Sequence, residues 1–341
     1  MAKAALAARV IYRHILSPMK KRPLFLALLL PLAAAAVLAE EKPAPAVSHD
    51  AAAGIVRVTL GGGPFAEFCY RSGAKPIVWP VHGPGGVALT RDWPMKADTP
   101  GEDRDHPHHT SLWFTHGNVN GVDFWAEGAD KGTIVTQAIT KAAVEDGVAV
   151  VAADNHWVAP GGKIVCSDAT TLRFGTDGAA RFIDYTITVA ATEGEVIFGD
   201  TKEGTLGLRT RPELNVARKN PLAAGQCVNS EGQRGGAIWG QKAAWVDYWA
   251  PIKEKTVGVA IFDHPENLRH PTTWHARDYG LIAANPFGLH DFIKGEPKGA
   301  GDFTIKAGGS QTWRYRFYLH EGDAATGKVA EAWKKWAGAG K

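Results

Sequence analysis

The sequence contains few cysteines and lacks the motifs of thiol chemistry. Its three cysteines, Cys69, Cys166 and Cys227, lie far apart and permit one disulfide with one thiol left over in an exported protein. No C-x-x-C pair occurs. Because no cysteine neighbours a histidine in the sequence, thiol catalysis is disfavoured.

Hydrolase motifs are also absent. No G-x-S-x-G occurs, so Ser111 lies in no nucleophile elbow and a Ser-His-Asp hydrolase is disfavoured. No H-E-x-x-H occurs, so zinc-protease chemistry lacks its general base. Internal repeats and heptads are missing as well, which favours one domain.

Long apolar runs are confined to the N-terminus. A basic stretch, Met19 to Arg22, precedes the apolar run Leu24 to Leu38, and the pair predicts a signal peptide over residues 1–39. Residues 1–18 lack this pattern, and we interpret Met19 as the true initiator. No later segment is apolar over a length that would span a membrane. The mature protein is therefore predicted to be periplasmic or secreted.

The basic charge belongs to the same N-terminal segment. Residues 1–39 hold six basic and no acidic residues, which leaves 32 basic against 35 acidic residues in the rest of the chain. We therefore expect no basic surface stripe of the kind that binds nucleic acid, and we expect the binding partner to be nearly neutral. Twelve tryptophans, all beyond residue 39, favour carbohydrate because indoles stack on the apolar faces of sugar rings.

Strand signals fill most of the remaining sequence. Short runs of β-branched and aromatic residues alternate with Gly, Asp and Asn, and the pairs Asp146-Gly147 and Asp177-Gly178 favour tight turns. Apolar and polar residues alternate in Arg181 to Val189 and in Trp313 to Leu319, so one side of each strand is expected in the core. Further strands are predicted at 55–60, 65–70, 134–140, 163–169, 172–174, 195–200, 244–249, 256–263 and 281–284, and residues 144–153 are expected to straddle the Asp146-Gly147 turn.

These signals together predict an all-β protein. A Pro/Ala-rich tether is expected at residues 40–50, followed by a single large antiparallel β-sandwich over residues 51–341. One helix is predicted near the C-terminus, at Ala324 to Ala337, because its apolar residues recur at helical spacing.

Residues 80–130 show little alternation of apolar and polar residues, and they contain the segment that is richest in potentially reactive side chains. Four histidines, His106, His108, His109 and His116, lie within eleven residues. Imidazole transfers protons near neutral pH and is also the commonest metal ligand. Long irregular segments on an all-β scaffold usually carry the site.

Two later segments hold similar chemistry, one at residues 209–215 and one at residues 263–290. We expect acid–base chemistry on a sugar, in which one group takes a proton while another gives one. The predicted catalytic residues are His108, His109, His116, His264, His275, Glu213 and Asp263. The predicted substrate-binding residues are Arg209, Arg211, Arg277, Trp113, Trp125, Trp274, Tyr279 and Asn285.

A metal site is the alternative use of the first histidine segment. His106 and His108 would lie on one side of an extended chain, but the glutamate and glycine frame of a cupin site are missing. No cofactor is favoured. If a divalent metal is bound, the predicted ligands are His106, His108, His109 and His116.

Residues 105–125, 211–214 (R-P-E-L), 263–280 and 284–288 (A-N-P-F-G) resemble the PmoA-like family of exported bacterial proteins. That resemblance implies little mechanism, because the family is largely uncharacterised. Its label implies a methane mono-oxygenase subunit, which needs several spanning helices, so we treat the label as a misnomer. The strand-rich pattern also resembles galactose-mutarotase-like supersandwiches, although no mutarotase motif matches residue by residue.

We therefore predict an exported protein that acts on a carbohydrate or glycoside as an epimerase, lyase or hydrolase. The alternatives are a non-catalytic glycan-binding protein and a metal-dependent lyase or oxidase. The central expectation is that the two histidine segments meet around one cleft.

Overall fold

Antiparallel strands build most of residues 44–339, which this computed structural model describes. The predicted signal peptide lies outside the described residues. The first nine strands are β1 (Pro45–Asp50), β2 (Ile55–Leu60), β3 (Gly63–Cys69), β4 (Ile77–Val81), β5 (Leu112–His116), β6 (Thr133–Glu145), β7 (Val148–Val158), β8 (Ile164–Asp177) and β9 (Ala180–Ala190). The later strands are β10 (Val196–Phe198), β11 (Gly204–Arg209), β12 (Gln226–Asn229), β13 (Trp245–Ile252), β14 (Lys255–Asp263), β15 (Trp274–Ala276), β16 (Leu281–Ala284), β17 (Phe303–Ile305) and β18 (Ser310–Glu321). The α-helices are α1 (Leu289–Phe292) and α2 (Val329–Gly338).

Two eight-stranded sheets face each other. The front sheet has the order β1-β2-β3-β4-β5-β11-β16-β15, and the back sheet has the order β12-β13-β14-β18-β9-β8-β7-β6. Their facing sides share one apolar core, in which the ring of Phe114 from the front sheet lies 6.3 Å from that of Tyr185 in the back sheet. The predicted antiparallel β-sandwich is confirmed. None of the helices in residues 44–339 has the length and apolar character needed to cross a membrane.

Alternation along the strands decides which residues reach this core. In β9 the side chains of Ile183, Tyr185 and Ile187 are buried in it, as predicted, and those of Trp313 and Phe317 in β18 join them. The predicted Asp-Gly turns join β6 to β7 and β8 to β9. Both positions of the first turn have positive φ, 49° at Asp146 and 74° at Gly147, which suits an Asp-Gly pair.

Three predictions about the ends and the cysteines need correction. The expected tether is in part a strand, because β1 pairs with β2 from Pro45 opposite Leu60 to Asp50 opposite Ile55. Proline is tolerated at the start of such an edge strand, where its missing N–H breaks no ladder. Helix α2 begins at Val329 rather than Ala324, since the preceding residues form a turn and Lys328 has a φ of 52°. All three cysteines are buried and free.

A buried carboxylate lies within the core between the sheets. Asp168 of β8 accepts hydrogen bonds from Asn155 Nδ2, Trp157 Nε1 and Thr170 Oγ1, each at 2.8 Å. Burial raises the pKa of Asp168 to about 6, and these three donors oppose that rise only in part. Folding therefore favours the protonated acid.

We expect Asp168 to make the protein less stable as the pH rises. Its folded pKa lies above the value of about 4 for an unfolded aspartate, so the destabilisation grows between about pH 4 and pH 6 and is complete above that, reaching about 2–3 kcal/mol. Urea unfolding of the wild type and Asp168→Asn across pH 4–7 measures it. The free-energy difference between the two proteins should change with pH in this window. A constant difference would contradict the assignment.

The site is positioned by the outer face of the front sheet, which points away from the core. Alternation sends Leu206 and Leu208 of β11 inward, so Gly207 faces outward. In the same way Trp274 of β15 points into the core while its neighbour His275 points out. The segments before and after β5 fold back over this outer face.

Candidate functional site

A cleft of about 400 Å³ opens on the outer face of the front sheet, and we call it the histidine cleft. Three parts of the chain line it. The segments flanking β5 supply His106, His108, His109, Asp123, Trp125 and Ala126, the segment before β11 supplies Lys202 and Glu203, and β15 with its following turn supplies His275, Arg277 and Tyr279. The two histidine-rich segments therefore meet around one hollow.

One row of residues crosses the front sheet beneath the cleft. His275 pairs with Ala283, Ala283 with Gly207, and Gly207 with Trp113, so these four residues share a face. A Cβ at Gly207 would lie 2.6 Å from the indole of Trp113, closer than side chains pack. Glycine at this position is what lets the indole extend across the sheet.

Four aromatic rings stack in a column beside the cleft. The centroids of Tyr279 and His106 are 5.2 Å apart, those of His106 and His109 are 4.7 Å apart, and those of His109 and Trp113 are 5.4 Å apart, with interplanar angles of 11°, 5° and 19°. Trp125 meets this column edge-on, 5.6 Å from His109. The column fixes the orientation of two imidazoles at once.

Arg91 holds the backbone of the histidine segment in place. Its buried guanidinium donates to the carbonyl oxygens of Asp105 at 2.9 Å, His106 at 2.8 Å and His109 at 3.4 Å. The chain needs this support because His106 has a φ of 44°, which a non-glycine residue seldom adopts.

The carboxylate of Asp105 links two buried arginines to the column. It accepts from Arg91 at 2.6 Å and from Arg209 at 2.8 and 3.0 Å, and its other contact is Nδ1 of His106 at 2.7 Å. Burial alone would raise the pKa of Asp105, but the charge of Arg209 and the hydrogen bonds from all three partners lower it to about 2. Arg209 also donates to Nδ1 of His109 at 3.2 Å, which places the proton of that imidazole on Nε2.

His275 presents its outer ring nitrogen to the cleft. Its Nδ1–H donates to the carbonyl oxygen of Lys202 at 2.8 Å, so the lone pair is on Nε2, which has no hydrogen-bond partner within residues 44–339. Burial, with the charges of Arg277 and Lys202, lowers the pKa of His275 to about 4. This imidazole is neutral at pH 7 and able to accept a proton.

His108 is held neutral by a similar combination. Burial and the charge of Lys75 lower its pKa to about 4. Lys75 is itself buried, forms an ion pair with Glu127, and lies 5.8 Å from the centre of the Trp113 ring. A second uncharged imidazole therefore faces the cleft.

Several predicted site residues belong to the interior instead. Trp113 and Trp274 are 1% and 0% exposed, so neither offers a stacking surface, and the indole N–H of Trp274 donates to the carbonyl of Ala243. His116 points into the core, where its Nε2–H donates to the carbonyl of Gly199 at 2.7 Å. Asn285 donates to the carbonyl of Thr201 at 2.9 Å and so supports the segment that carries Lys202.

The predicted acid–arginine pairs also lie away from the cleft lining. Arg211 binds Glu213 through two contacts of 2.6 and 2.7 Å, and it donates to the carbonyl of Ala88, which makes the pair a support for a loop. Arg209 lies beneath the cleft, where its two terminal nitrogens donate to His109 and Asp105 and its Nε has no partner among the described residues.

Asp263 and His264 form a separate cluster near α2. Asp263 is fully buried and accepts from Asn267, from His270 and from the backbone of Thr272. His264 packs its ring 5.0 Å from that of Trp336. Alternation and turn geometry carry both away from the lining of the histidine cleft, so the structure does not bring these two predicted catalytic residues to it.

The predicted metal ligands do not converge. Within residues 44–339, no group of three or more His, Cys, Asp or Glu side chains is arranged to hold a metal ion. His106, His108 and His109 pack ring against ring, while His116 lies on the other side of the sheet.

Sequence reasoning missed the residues that support the cleft. Arg91, Lys75 and Glu127 are single charged residues in loops, with no spacing that marks them. Lys202 and Glu203 lie in a short turn that resembles any surface turn. Only Asp105, beside the histidines in the sequence, carried a signal that could have been used.

Residues 55–334 match the model of a family of unknown function, DUF6807. The chain belongs to this family. The match covers most of the sandwich and both histidine segments. No curated protein matches the chain. The resemblance of this DUF6807 protein to the PmoA-like family stays a prediction.

Two solved structures resemble this DUF6807 protein weakly. The Slr1438 protein from Synechocystis sp. PCC 6803 is 10% identical with a TM-score of 0.32, covering 82% of this chain and 96% of its own. A galactose mutarotase-like protein from Clostridium acetobutylicum is 10% identical with a TM-score of 0.35, covering 82% of this chain and 99% of its own. Similarity at this level says nothing about the reaction.

Proposed function

We propose that the histidine cleft binds a sugar or glycoside and that the protein is an exported carbohydrate enzyme working by acid–base chemistry. The observation that supports this most is His275. Its ring is fixed by the Lys202 carbonyl at 2.8 Å, its Nε2 is unpartnered among the described residues, and burial keeps it neutral. A positioned neutral imidazole is a general base.

Tyr279 is the proposed proton donor. Burial raises the pKa of Tyr279, so its hydroxyl keeps its proton at neutral pH. Within residues 44–339 that hydroxyl has no hydrogen-bond partner, and its ring is held against His106. An acid and a base in one cleft satisfy the basic requirement of epimerisation, β-elimination and hydrolysis.

The sugar ring would rest against Tyr279 and His106 rather than against tryptophan. Trp125 is 2% exposed, so only its edge reaches the cleft. Tyr279 and His106 are more open, and because their rings stack face to face, 5.2 Å apart, they present their edges to the cleft. Those edges carry the Tyr279 hydroxyl and the ring nitrogens of His106, which can form hydrogen bonds with the hydroxyl groups of a sugar.

The experiment is a screen of the mature protein against neutral and acidic oligosaccharides and aryl glycosides. Nuclear magnetic resonance spectra of the mixtures would report new anomeric, alkene or reducing-end signals. We expect turnover of at least one saccharide, and unchanged turnover after treatment with a chelator. Binding with no turnover in any mixture would favour a glycan-binding protein, and loss of turnover on chelation would favour the metal-dependent alternative.

A further inference from the structure

Arg277 is a cation without a partner in the cleft. Its guanidinium forms no hydrogen bond or ion pair within residues 44–339, and it lies 5.5 Å from the centre of the Tyr279 ring. The residue is half-buried and lines the cleft. A guanidinium that lines an open cleft and has no protein partner keeps its donors available for a ligand.

The acidic groups around the cleft are already engaged. Glu203 lies 3.2 Å from Lys202, and Asp123 accepts from the backbone N–H groups of Trp125 and Ala126. Asp105 is shared by two arginines. No side-chain carboxylate of the described chain is within ion-pair distance of Arg277, so its charge is available to an anionic group of a ligand.

We propose that Arg277 binds the carboxylate of an acidic sugar, so that the substrate class of the cleft is a uronate or a uronate-containing oligosaccharide. This inference rests on the proposed function. A planar guanidinium presents paired N–H donors that match the two oxygens of a carboxylate. A hydroxyl group needs no such fork, and the neutral imidazoles of the cleft could bind it.

A phosphate group fits less well. The carboxylate of Glu203 lines the same cleft and would repel a dianion. The nearby helix α1 has only four residues, so it supplies no anion site of its own. Because Lys202 is already paired with Glu203, Arg277 can neutralise only a single negative charge on the ligand.

The charge of Arg277 also affects its neighbour His275. It is one of the causes that lower the pKa of that imidazole. Binding a carboxylate would offset this effect, which gives a second readout besides affinity. The imidazole of His275 should then titrate at higher pH when the cleft is occupied than when it is empty.

The test measures binding of matched saccharides by calorimetry. The probes are oligogalacturonate, oligoglucuronate and oligomannuronate, their carboxyl-reduced counterparts, and glucose 6-phosphate. The variants are Arg277→Met and the control Arg71→Met, because Arg71 also lies 5.5 Å from a tyrosine ring but outside the cleft. We expect one uronate to bind about 10- to 100-fold more tightly than its reduced form, since a charge-assisted hydrogen-bonded pair contributes that much.

In Arg277→Met the uronate should bind no better than its reduced form, while Arg71→Met should keep the preference. Equal binding of acidic and reduced saccharides, or a preference that survives Arg277→Met, would overturn this inference and leave the proposed function standing. Tighter binding of the phosphate would overturn the carboxylate assignment. No binding of any saccharide would overturn both proposals.

Discussion

A His275→Gln variant is expected to lose turnover by about 10²- to 10⁴-fold, the usual effect of removing a general base. Glutamine is close in size to histidine, but its amide cannot take a proton. Binding of the saccharide should change by no more than about threefold, because the lost interaction belongs to the transition state. Steady-state kinetics and calorimetry on the same saccharide measure the two quantities.

The matched control is His264→Gln. His264 comes from the same segment of the chain but packs against Trp336, away from the lining of the histidine cleft. We expect its turnover to equal that of the wild type. If His275→Gln weakens binding without a separate effect on turnover, the cleft binds glycans without catalysis and the enzyme proposal fails.

The pKa of His275 also predicts how the rate should depend on pH. The pKa of His275 in the unliganded protein is about 4, so it is unprotonated and competent as a base above that pH. The rate constant kcat/KM should be level on the acidic side of neutrality and fall below about pH 4, provided that the protein stays folded. A fall centred near pH 6.5 would instead indicate an imidazole that is neither buried nor adjacent to cations.

The largest effect on stability is expected for Asp105→Asn. Arg91 and Arg209 are each 2% exposed, and Asp105 is the carboxylate that pairs with both. The amide would remove the counter-charge that Asp105 gives to two buried guanidinium groups. We expect the free energy of unfolding to fall by about 2–4 kcal/mol. This is less than is usual for a fully buried pair, because Asp105 is 35% exposed. Urea unfolding at pH 7 measures this loss.

The pH dependence of that loss follows from the sign of the shift. The folded pKa of Asp105 is about 2, below its unfolded value of about 4, so the carboxylate stabilises the fold above pH 4 and the contribution disappears towards pH 2. Glu67→Gln is the control, because it removes a carboxylate from an exposed pair with Arg57, 27% and 45% exposed. That change should cost no more than about 1 kcal/mol. Equal losses in the two variants would contradict the role of Asp105.

Long strands with clear alternation could be predicted from the sequence. In β9 and β18 one face is buried in the core and the other is more exposed to solvent, so apolar and polar residues alternate along the sequence. Strands β5, β11 and β16 are buried on both faces, because the cleft segments cover their outer side. Apart from His116 in β5 and Arg209 in β11, their side chains are therefore apolar or small, and of these three strands only β16 was predicted.

The chemistry of the site was easier to predict than its geometry. Trp274 and His275 are adjacent in β15, so only one of them can face the cleft, and alternation in the neighbouring strands decides that it is His275. Arg91 could not be predicted, because its hydrogen bonds to the backbone of the histidine segment depend on how a long loop folds back. Residue type alone does not distinguish an arginine that lines the cleft, such as Arg277, from one that supports it from beneath, such as Arg209.

The claim that the two histidine segments form one site is tested most directly by following the histidine ring resonances of the protein while a saccharide that binds in the screen is titrated in. We expect the resonances of His106, His108 and His275 to move together and to saturate at one concentration, while those of His82 and His320, which lie elsewhere, stay in place. If the saccharide binds and the cleft histidines do not respond, or if His275 responds alone, the two histidine segments do not form one site.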